Sequence, residues 1–231
     1  MFIIADSRMP DQAKKRLSSE GEILWLEPQP LVYSSIAAHP DIFFCQAGKQ
    51  LICAPNIPER WKRFVVNTGM ELIEGGTIPS QNYPQTAVYN ALFTGHTLYH
   101  NLNITDPVVL KIVEKTRLVH VKQGYTRCNL LSLNETHFIT SDKGIEKKLV
   151  NDNKQVLFIN PQQIILPGEK YGFIGGACGV NNKHLFICGN HRNLTEADKL
   201  NQFVSKCDYT IIELYDGPVV DVGSIMFLGM S

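Results

Sequence analysis

The sequence has no excess of either charge, since Lys plus Arg and Asp plus Glu are equal at 22 each among its 231 residues. Without a net electrostatic field, the chain is not predicted to bind nucleic acid or an anionic membrane surface. Long apolar runs are also missing, because no stretch approaches the roughly 20 residues that a membrane-spanning helix needs. These absences predict a globular protein with neither a nucleic-acid nor a membrane partner.

Paired cysteine motifs and a secretory signal are missing as well. The six cysteines include no C-x-x-C pair, and the N-terminal stretch MFIIADSRMP lacks the basic start and long apolar segment of a signal peptide. We therefore expect reduced thiols in the cytoplasm instead of a disulfide framework. No cofactor or metal is predicted, because the glycine-rich stretch GFIGGACG is not followed by a helix N-terminus and no ligand cluster has suitable spacing.

One pattern recurs five times along the chain, at a spacing of about 45 residues. Each copy consists of an apolar strand, a polar corner and a helix, with corners near Asp6, Asn56, Asn101, Asp142 and Asn190. The predicted helices cover residues 10–17, 57–66, 105–118, 144–150 and 195–204, and several begin with Pro, Asp or Thr, as helix starts require.

A second strand precedes the corner strand in four of these units, in the stretches DIFFCQ, AVYNALF, YTRCNLLSL and FIGGACGV. The fifth such strand, at residues 219–230, has no following partner, and the first corner strand, FIIADS, has no preceding one. We therefore predict that the N-terminal strand pairs with the last strand and closes a ring without exposed edges. The expected protein is a single α/β domain over residues 1–231, with five pseudo-repeated ββα-type units.

Five such units closed into a ring resemble the pentein fold, the five-bladed α/β propeller of the guanidino-group-modifying enzymes. These include arginine deiminases, dimethylargininases, agmatine deiminases and amidinotransferases, and a ribosome-binding initiation factor shares the fold without being an enzyme. The stretches HPDIFFC, KQGYTRCN, FITSDKGI, GFIGGACG and DVGSIMFL are similar to an uncharacterised bacterial domain family with this fold. Over nearly the whole chain, the resemblance implies a small amino-acid or guanidino/amidino-type ligand in the central pit.

The resemblance also implies a catalytic thiolate, a proton-transferring His and substrate-binding acids, and the sequence departs from that set. Phe227 stands where the C-terminal thiol is expected, Gly175 and Gly176 stand about where the His is expected, and Cys128 takes approximately the place of one acid. The reaction of the guanidino-modifying enzymes is therefore not expected here.

Cys128 is the residue with the strongest claim to chemistry. Lys122 and Arg127 lie close to it in sequence, and nearby cations favour the thiolate that nucleophilic chemistry needs. The alternative is that Cys128, like other buried cysteines, serves as a small apolar side chain.

His39 and Asp41 form either an oriented proton carrier or the end of a loop with Asp41 capping a turn. Lys122 and Gln123 either present an amine and an amide to a ligand or begin a solvated strand, and Asp142 is either a ligand residue or a helix cap. The other predicted ligand-binding residues are polar side chains of the inner strands, Tyr89, Asn90, Tyr125, Arg127 and Asp221.

Two principal functions remain open. In the first, the ring binds a small ligand and has no catalytic activity of the guanidino-modifying kind. In the second, it is a hydrolase or transferase with unorthodox chemistry that uses Cys128, His39 and Asp41. A non-catalytic protein-binding module is a further alternative, and nothing in the sequence specifies an oligomeric state.

Overall fold

The computed structural model describes residues 1–229, and within them the chain forms fifteen strands and seven α-helices. The strands are β1 (Phe2–Asp6), β2 (Glu22–Leu26), β3 (Phe44–Ala47), β4 (Gln50–Cys53), β5 (Glu71–Glu74), β6 (Leu92–Phe93), β7 (Thr97–His100), β8 (Arg117–His120), β9 (Leu130–Ser132), β10 (His137–Thr140), β11 (Gln155–Phe158), β12 (Cys178–Asn181), β13 (His184–Ile187), β14 (Thr210–Glu213) and β15 (Met226–Leu228). The helices are α1 (Asp11–Leu17), α2 (Pro40–Phe43), α3 (Glu59–Asn67), α4 (Pro107–Ile112), α5 (Thr126–Asn129), α6 (Lys143–Asn151) and α7 (Ala197–Ser205). None of the helices in this range has the length and hydropathy to cross a membrane.

The strands form five three-stranded sheets, four of them continuous in sequence: β3–β4–β5, β6–β7–β8, β9–β10–β11 and β12–β13–β14. In each, the inner strand and the middle strand form an antiparallel hairpin, and a helix then leads to an outer strand parallel to the middle one. The prediction of five repeated units is confirmed, but the outer strand was missed. The outer strands are only four or five residues long and lie half-exposed, so they carry no clear alternation of apolar and polar residues.

The fifth sheet joins the two ends of the chain, as predicted. Its order is β15–β1–β2, with β1 antiparallel to β15 and parallel to β2. Ile3 pairs with Phe227 in this register, and both Ile3 and Ile4 are fully buried. The final strand is shorter than the predicted 219–230, and Met230 lies outside the described residues.

Helical turns precede the inner strands, where the sequence predicted continuous strands. Residues Asp41–Phe43 belong to α2, which has Pro40 at its first position, and residues 126–129 form α5 before β9 begins. Pro is favoured there because its fixed φ suits the first turn and its missing N–H is not needed. Successive side chains of such a turn are separated by about 100°, so neighbouring residues point in directions that strand alternation does not predict.

The predicted helix at residues 105–118 is also corrected. Asp106 caps α4 by accepting hydrogen bonds from the backbone N–H groups of Val108 and Val109, but α4 ends at Ile112. The Thr116 hydroxyl donates to the carbonyl of Val113 at 2.7 Å, and the chain then enters β8. Residues 117 and 118 are therefore part of a strand. The β-branched residues of this segment fit a strand as readily as a helix.

An aromatic contact in the hydrophobic core holds the turn formed by α2 in place. Trp61 of α3 is fully buried and contacts Phe43 edge-on, with ring centroids 5.6 Å apart. Since Phe43 ends α2, this contact holds the turn that carries Asp41 against the body of its unit.

Candidate functional site

The turns that precede the inner strands meet at the centre of the ring, where hydrogen bonds join each unit to the next. Four of these bonds run from a backbone N–H to a backbone carbonyl, and the fifth uses the side-chain amide of Asn90. They are Asp41 N–H to Gly223 O (3.1 Å), Ser224 N–H to Gly176 O (2.7 Å), Gly176 N–H to Cys128 O (2.8 Å), Arg127 N–H to Asn90 O (2.9 Å) and Asn90 Nδ2–H to Asp41 O (3.2 Å). We call this set of bonds the central floor, and a cavity lies on each side of it.

The first cavity has a volume of about 310 Å³ and is lined by four of the predicted site residues. Cys128, His39, Asp221 and Tyr125 line it, together with Glu169, which was not predicted. These residues come from four separate regions of the sequence. The ring therefore brings together a thiol, an imidazole and two carboxylates.

Cys128 is held by two polar side chains. Its Sγ donates to Asp41 Oδ2 at 2.9 Å and accepts from Asn90 Nδ2 at 3.2 Å, while its backbone N–H donates to Asn90 Oδ1 at 3.1 Å. Burial, followed by the nearby carboxylates of Asp41 and Asp221, raises the pKa of the thiol well above its ordinary value. The expectation that cations favour a Cys128 thiolate is not supported, because burial and the carboxylates raise the pKa of the thiol and Lys122 is exposed outside the cavity.

Asp41 lies directly behind Cys128 and is fully buried. Its Oδ2 also accepts from the Ser224 hydroxyl at 2.5 Å, and that hydroxyl lies 3.2 Å from the carbonyl of Gly175. Its Oδ1 has no hydrogen-bond partner among the described residues. Asp41 therefore takes part in the hydrogen bonding of the ring centre instead of capping a turn at the surface.

His39 lies between two buried carboxylates. Its Nδ1 is 4.0 Å from Asp221 Oδ1, and its Nε2 is 3.8 Å from Asp6 Oδ2. Arg8 holds Asp6 through hydrogen bonds from Nε and Nη2, the latter at 2.6 Å. The sequence predicts Asp6 only as a corner residue and assigns no role to Arg8. The contact between Asp6 and His39 forms only when the first and fifth units pack together.

Asp221 accepts backbone hydrogen bonds on both oxygens, from Gly223 to Oδ1 and from Phe173 to Oδ2, each at 2.9 Å. Burial raises the pKa of its carboxyl to about 6, although His39 and these hydrogen bonds oppose the rise. The residue is only 3% exposed, yet it lines the cavity. Its carboxyl is thus a group that changes charge in a range close to neutrality.

Tyrosines close one side of the first cavity. The hydroxyl of Tyr125 lies 3.0 Å from that of Tyr33 and 2.5 Å from that of Thr86. The Ser35 hydroxyl donates to Glu169 Oε1 at 2.7 Å. Tyr33, Ser35 and Glu169 lie in connecting segments without regular periodicity, so no sequence signal assigned them to the site.

The other predicted ligand residues are not brought into the first cavity. Tyr89 is buried elsewhere, with its hydroxyl donating to the carbonyl of Thr77 at 2.6 Å. Gln123 donates to Asp142 Oδ2 at 3.1 Å, and Asp142 caps α6 by accepting from the backbone of Ile145 at 2.8 Å. The hydrogen bonds of Gln123 and Asp142 stabilise the unit that carries Cys128.

Arg127 points away from its neighbour Cys128 and lines the second cavity, which has a volume of about 910 Å³. Its Nη1 donates to the carbonyl of Gly175 at 3.0 Å. The aromatic ring of Phe227 also reaches this side and packs against Phe186 at a centroid distance of 4.7 Å. Among residues 1–229, no cluster of three His, Cys, Asp or Glu side chains is arranged to hold a metal ion.

Five α/β units arranged in a ring around a polar centre define the pentein fold. Solved structures of guanidino-modifying enzymes share this fold. Substrate-bound agmatine deiminase from C. jejuni matches at a TM-score of 0.59 with 9% identity, covering 96% of this chain and 94% of its own. The amidinotransferase SxtG from Microseira wollei matches at 0.55 with 11% identity, covering 96% and 93%. The citrulline complex of DDAH from Pseudomonas aeruginosa matches at 0.55 with 11% identity, covering 92% and 91%.

The chain belongs to the family of unknown function DUF6873, whose model matches residues 4–226. No curated protein matches the sequence. At identities of 9–11%, the solved structures establish the fold and leave the ligand and the reaction to the site itself.

Proposed function

We propose that the protein binds a small organic cation, of the guanidino or amidino type, in the first cavity. The observation that carries the proposal is Asp221, a buried carboxylate on the cavity wall whose Oδ1 lies 4.0 Å from the His39 imidazole. A buried carboxylate is costly to keep charged unless a cation compensates it. A guanidinium or amidinium group would supply that charge together with N–H donors for its oxygens.

The remaining charges of the first cavity support a cationic ligand. Glu169 adds a second carboxylate on the wall, and Asp41 adds a third behind Cys128, with one oxygen unpartnered among the described residues. Lys170 is an exposed residue of the lining. Three carboxylates therefore act on the same small space, and Lys170 is the lysine of the lining that opposes them.

The walls and size also suit such a ligand. Tyr33, Tyr125, Tyr171 and Phe173 contribute aromatic rings, which attract planar cations through their faces. A volume of about 310 Å³ is at the lower end of the range for small-molecule sites. The solved relatives include an agmatine deiminase and an amidinotransferase, whose names refer to ligands of this chemical class.

The proposal is tested by thermal unfolding with charged and neutral ligands of the same shape. Arginine, agmatine and benzamidine are compared with citrulline and benzamide, which replace the charged group by a neutral one. A ligand at a hundred times its dissociation constant adds about 2.7 kcal/mol to the free energy of unfolding. We expect stabilisation by at least one cation and a weaker effect from its neutral counterpart. Equal effects within every pair would contradict the proposal.

Asp221→Asn should remove most of the stabilisation by the cation, because the variant keeps the size of the side chain and loses its charge. Charge-assisted hydrogen bonds contribute about 1.5–3 kcal/mol, so a loss of at least about tenfold in affinity is expected. Asp142→Asn is the matched control, since Asn also caps a helix and Asp142 lies outside the cavity. Each variant is compared with its own ligand-free unfolding temperature, because an amide in place of the Asp221 carboxylate accepts only one of the two backbone hydrogen bonds.

Cation binding should also weaken as pH falls through about 6. The pKa of Asp221 is raised to about 6, so its carboxylate is charged above this pH and becomes neutral below it. Titration calorimetry between about pH 7.5 and 5 measures the effect. An affinity that stays constant over this range would show that Asp221 does not contact the cation.

The catalytic alternative rests on Cys128, His39 and Asp41, which the ring brings to one place. It requires a reactive thiolate, whereas the raised pKa of Cys128 indicates a neutral thiol that donates to Asp41. We expect iodoacetamide at neutral pH to modify Cys128 no faster than the other five cysteines, as followed by mass spectrometry.

Asp41→Asn should increase the alkylation rate of Cys128 by about tenfold for each unit by which the pKa of the thiol falls. Ser224→Ala is the matched control, because it removes the other donor to Asp41 Oδ2 without changing the charge. If Cys128 is the fastest-reacting thiol of the unmodified protein, the catalytic alternative becomes the better one.

A further inference from the structure

The second cavity lies at the opposite end of the inner strands from the first. All five units contribute to it, and its rim includes the hairpin residues 48–49, 94–95, 134–135 and 181–182 together with Met1 and Gly229. We propose that this cavity binds an organic anion, with a carboxylate or phosphate group on an apolar body, and that Arg127 is the counter-charge. The site is separate from the cation site of the first cavity.

Arg127 has the geometry of an anion-binding group. Within residues 1–229 its guanidinium makes one side-chain hydrogen bond, from Nη1 to the carbonyl of Gly175, and no carboxylate lies within ion-pair distance. A guanidinium has five N–H donors in a planar fork, so most of them are available to a ligand. Burial lowers the pKa of Arg127 from its ordinary value, although the carboxylates of Asp41 and Asp221 oppose this shift.

The other charged groups of the second cavity do not remove the preference for an anionic ligand. Lys49 adds a second positive charge at the rim, and Glu135 is the carboxylate of the lining. Glu135 is engaged by His96, with its Oε1 3.3 Å from the imidazole Nε2. The carboxylates of Asp41 and Asp221 act on Arg127 only from across the central floor.

The apolar walls of the second cavity indicate that the anionic group belongs to a ligand with an apolar portion. Phe93, Leu131, Leu133 and Phe227 present apolar surface to the cavity, and Asn134 offers amide groups near the rim. A volume of about 910 Å³ accommodates a molecule considerably larger than an inorganic ion. An anionic group beside Arg127 would therefore be accompanied by an apolar portion along the inner strands.

The two sites are kept apart by one helical turn. Arg127 and Cys128 are consecutive residues of α5, and their side chains diverge to opposite sides of the central floor. A cation suited to the carboxylates of the first cavity would be repelled by Arg127 in the second. The signs of the two sites thus predict ligands of opposite charge.

The test compares hexanoate and phenyl phosphate with hexanamide, a neutral molecule of nearly the same shape as hexanoate, and with inorganic phosphate. Titration calorimetry should give at least about tenfold tighter binding of hexanoate than of hexanamide, since a charge-assisted hydrogen bond is lost in the amide. The relative affinities of hexanoate and phenyl phosphate distinguish carboxylate from phosphate ligands. Tighter binding of phenyl phosphate than of inorganic phosphate is expected from the apolar walls.

Arg127→Gln should weaken binding of the preferred anion at least about tenfold, and Arg127→Lys should restore part of it because the charge is kept. Asp142→Asn is the control and should leave anion binding unchanged, because Asp142 lines neither cavity and Asn also caps a helix. Should Arg127→Gln fail to fold, the guanidinium NMR signals of Arg127 in the unmodified protein provide the readout and should shift on addition of the anion.

Three results would overturn the proposal: no binding of either organic anion, equal binding of hexanoate and hexanamide, or unchanged binding by Arg127→Gln. Unshifted guanidinium signals of Arg127 in the presence of a bound anion would do the same. None of these outcomes depends on whether cations bind the first cavity.

Discussion

Gly223→Ala is expected to destabilise the protein by about 2–5 kcal/mol, combining backbone strain with overpacking. Gly223 has φ +67, where a residue with a Cβ is strained, and a Cβ at this position would overlap the Cβ and Cγ atoms of His39. The neighbouring atoms cannot easily give way, because the Gly223 carbonyl accepts the Asp41 N–H of the central floor. Urea denaturation of the two proteins measures the difference.

Gly48→Ala is the matched control for this substitution. Gly48 has nearly the same backbone conformation, with φ +64, but nothing lies within 4 Å of the position that its Cβ would occupy. It should therefore cost only the backbone strain of about 1–2 kcal/mol. Similar losses for the two variants would show that the close approach at the ring centre does not exist in solution.

Deletion of residues 2–6 is expected to abolish cooperative folding. These residues form β1, the middle strand of the fifth sheet, and their loss leaves both β15 and β2 without a partner. The fully buried side chains of Ile3 and Ile4 are lost as well, and truncating one buried Ile already costs about 2–5 kcal/mol. Circular dichroism during heating should show no cooperative transition, since the total stability of a domain is about 5–15 kcal/mol.

A circular permutant is the control for the deletion. Phe2 pairs with Leu228, so joining Gly229 directly to Met1 places a two-residue link between β15 and β1, and new ends are opened in the exposed loop between Gln81 and Asn82. The permutant lacks Met230 and Ser231 but keeps β1 and its two partner strands, so it should fold cooperatively. A deletion variant that unfolds as cooperatively as the full chain would contradict the closed ring.

The architecture could be predicted because each repeated unit can be recognised from a short stretch of consecutive residues. Each unit repeats an apolar strand, a polar corner and a capped helix, and the unmatched strands at residues 2–7 and 219–230 predict each other as partners. The outer strands could not be found in this way. Segments such as ELIE of β5 are too short and too exposed to carry a hydrophobic period.

The candidate site could be predicted by residue type but only partly by position. Cys128, His39, Asp41 and Asp221 are polar residues in segments that lead toward the ring centre, and the structure places all four there. The sequence also predicts Tyr89 beside them, because its segment has the pattern of a regular strand. A turn precedes β6 instead, and it directs the Tyr89 hydroxyl toward Thr77.

The five repeats, the pairing of the first strand with the last and the polar side chains of the centre all follow from the order of the amino acids. Which of those side chains meet depends on how distant segments pack in the folded protein. Arg127 and Cys128 are adjacent in the chain but face different cavities, because a helical turn rotates successive side chains by about 100°. Cys128 then lies beside Asp41 instead of a cation, and the pKa of its thiol rises because burial and neighbouring charge are set by distant segments.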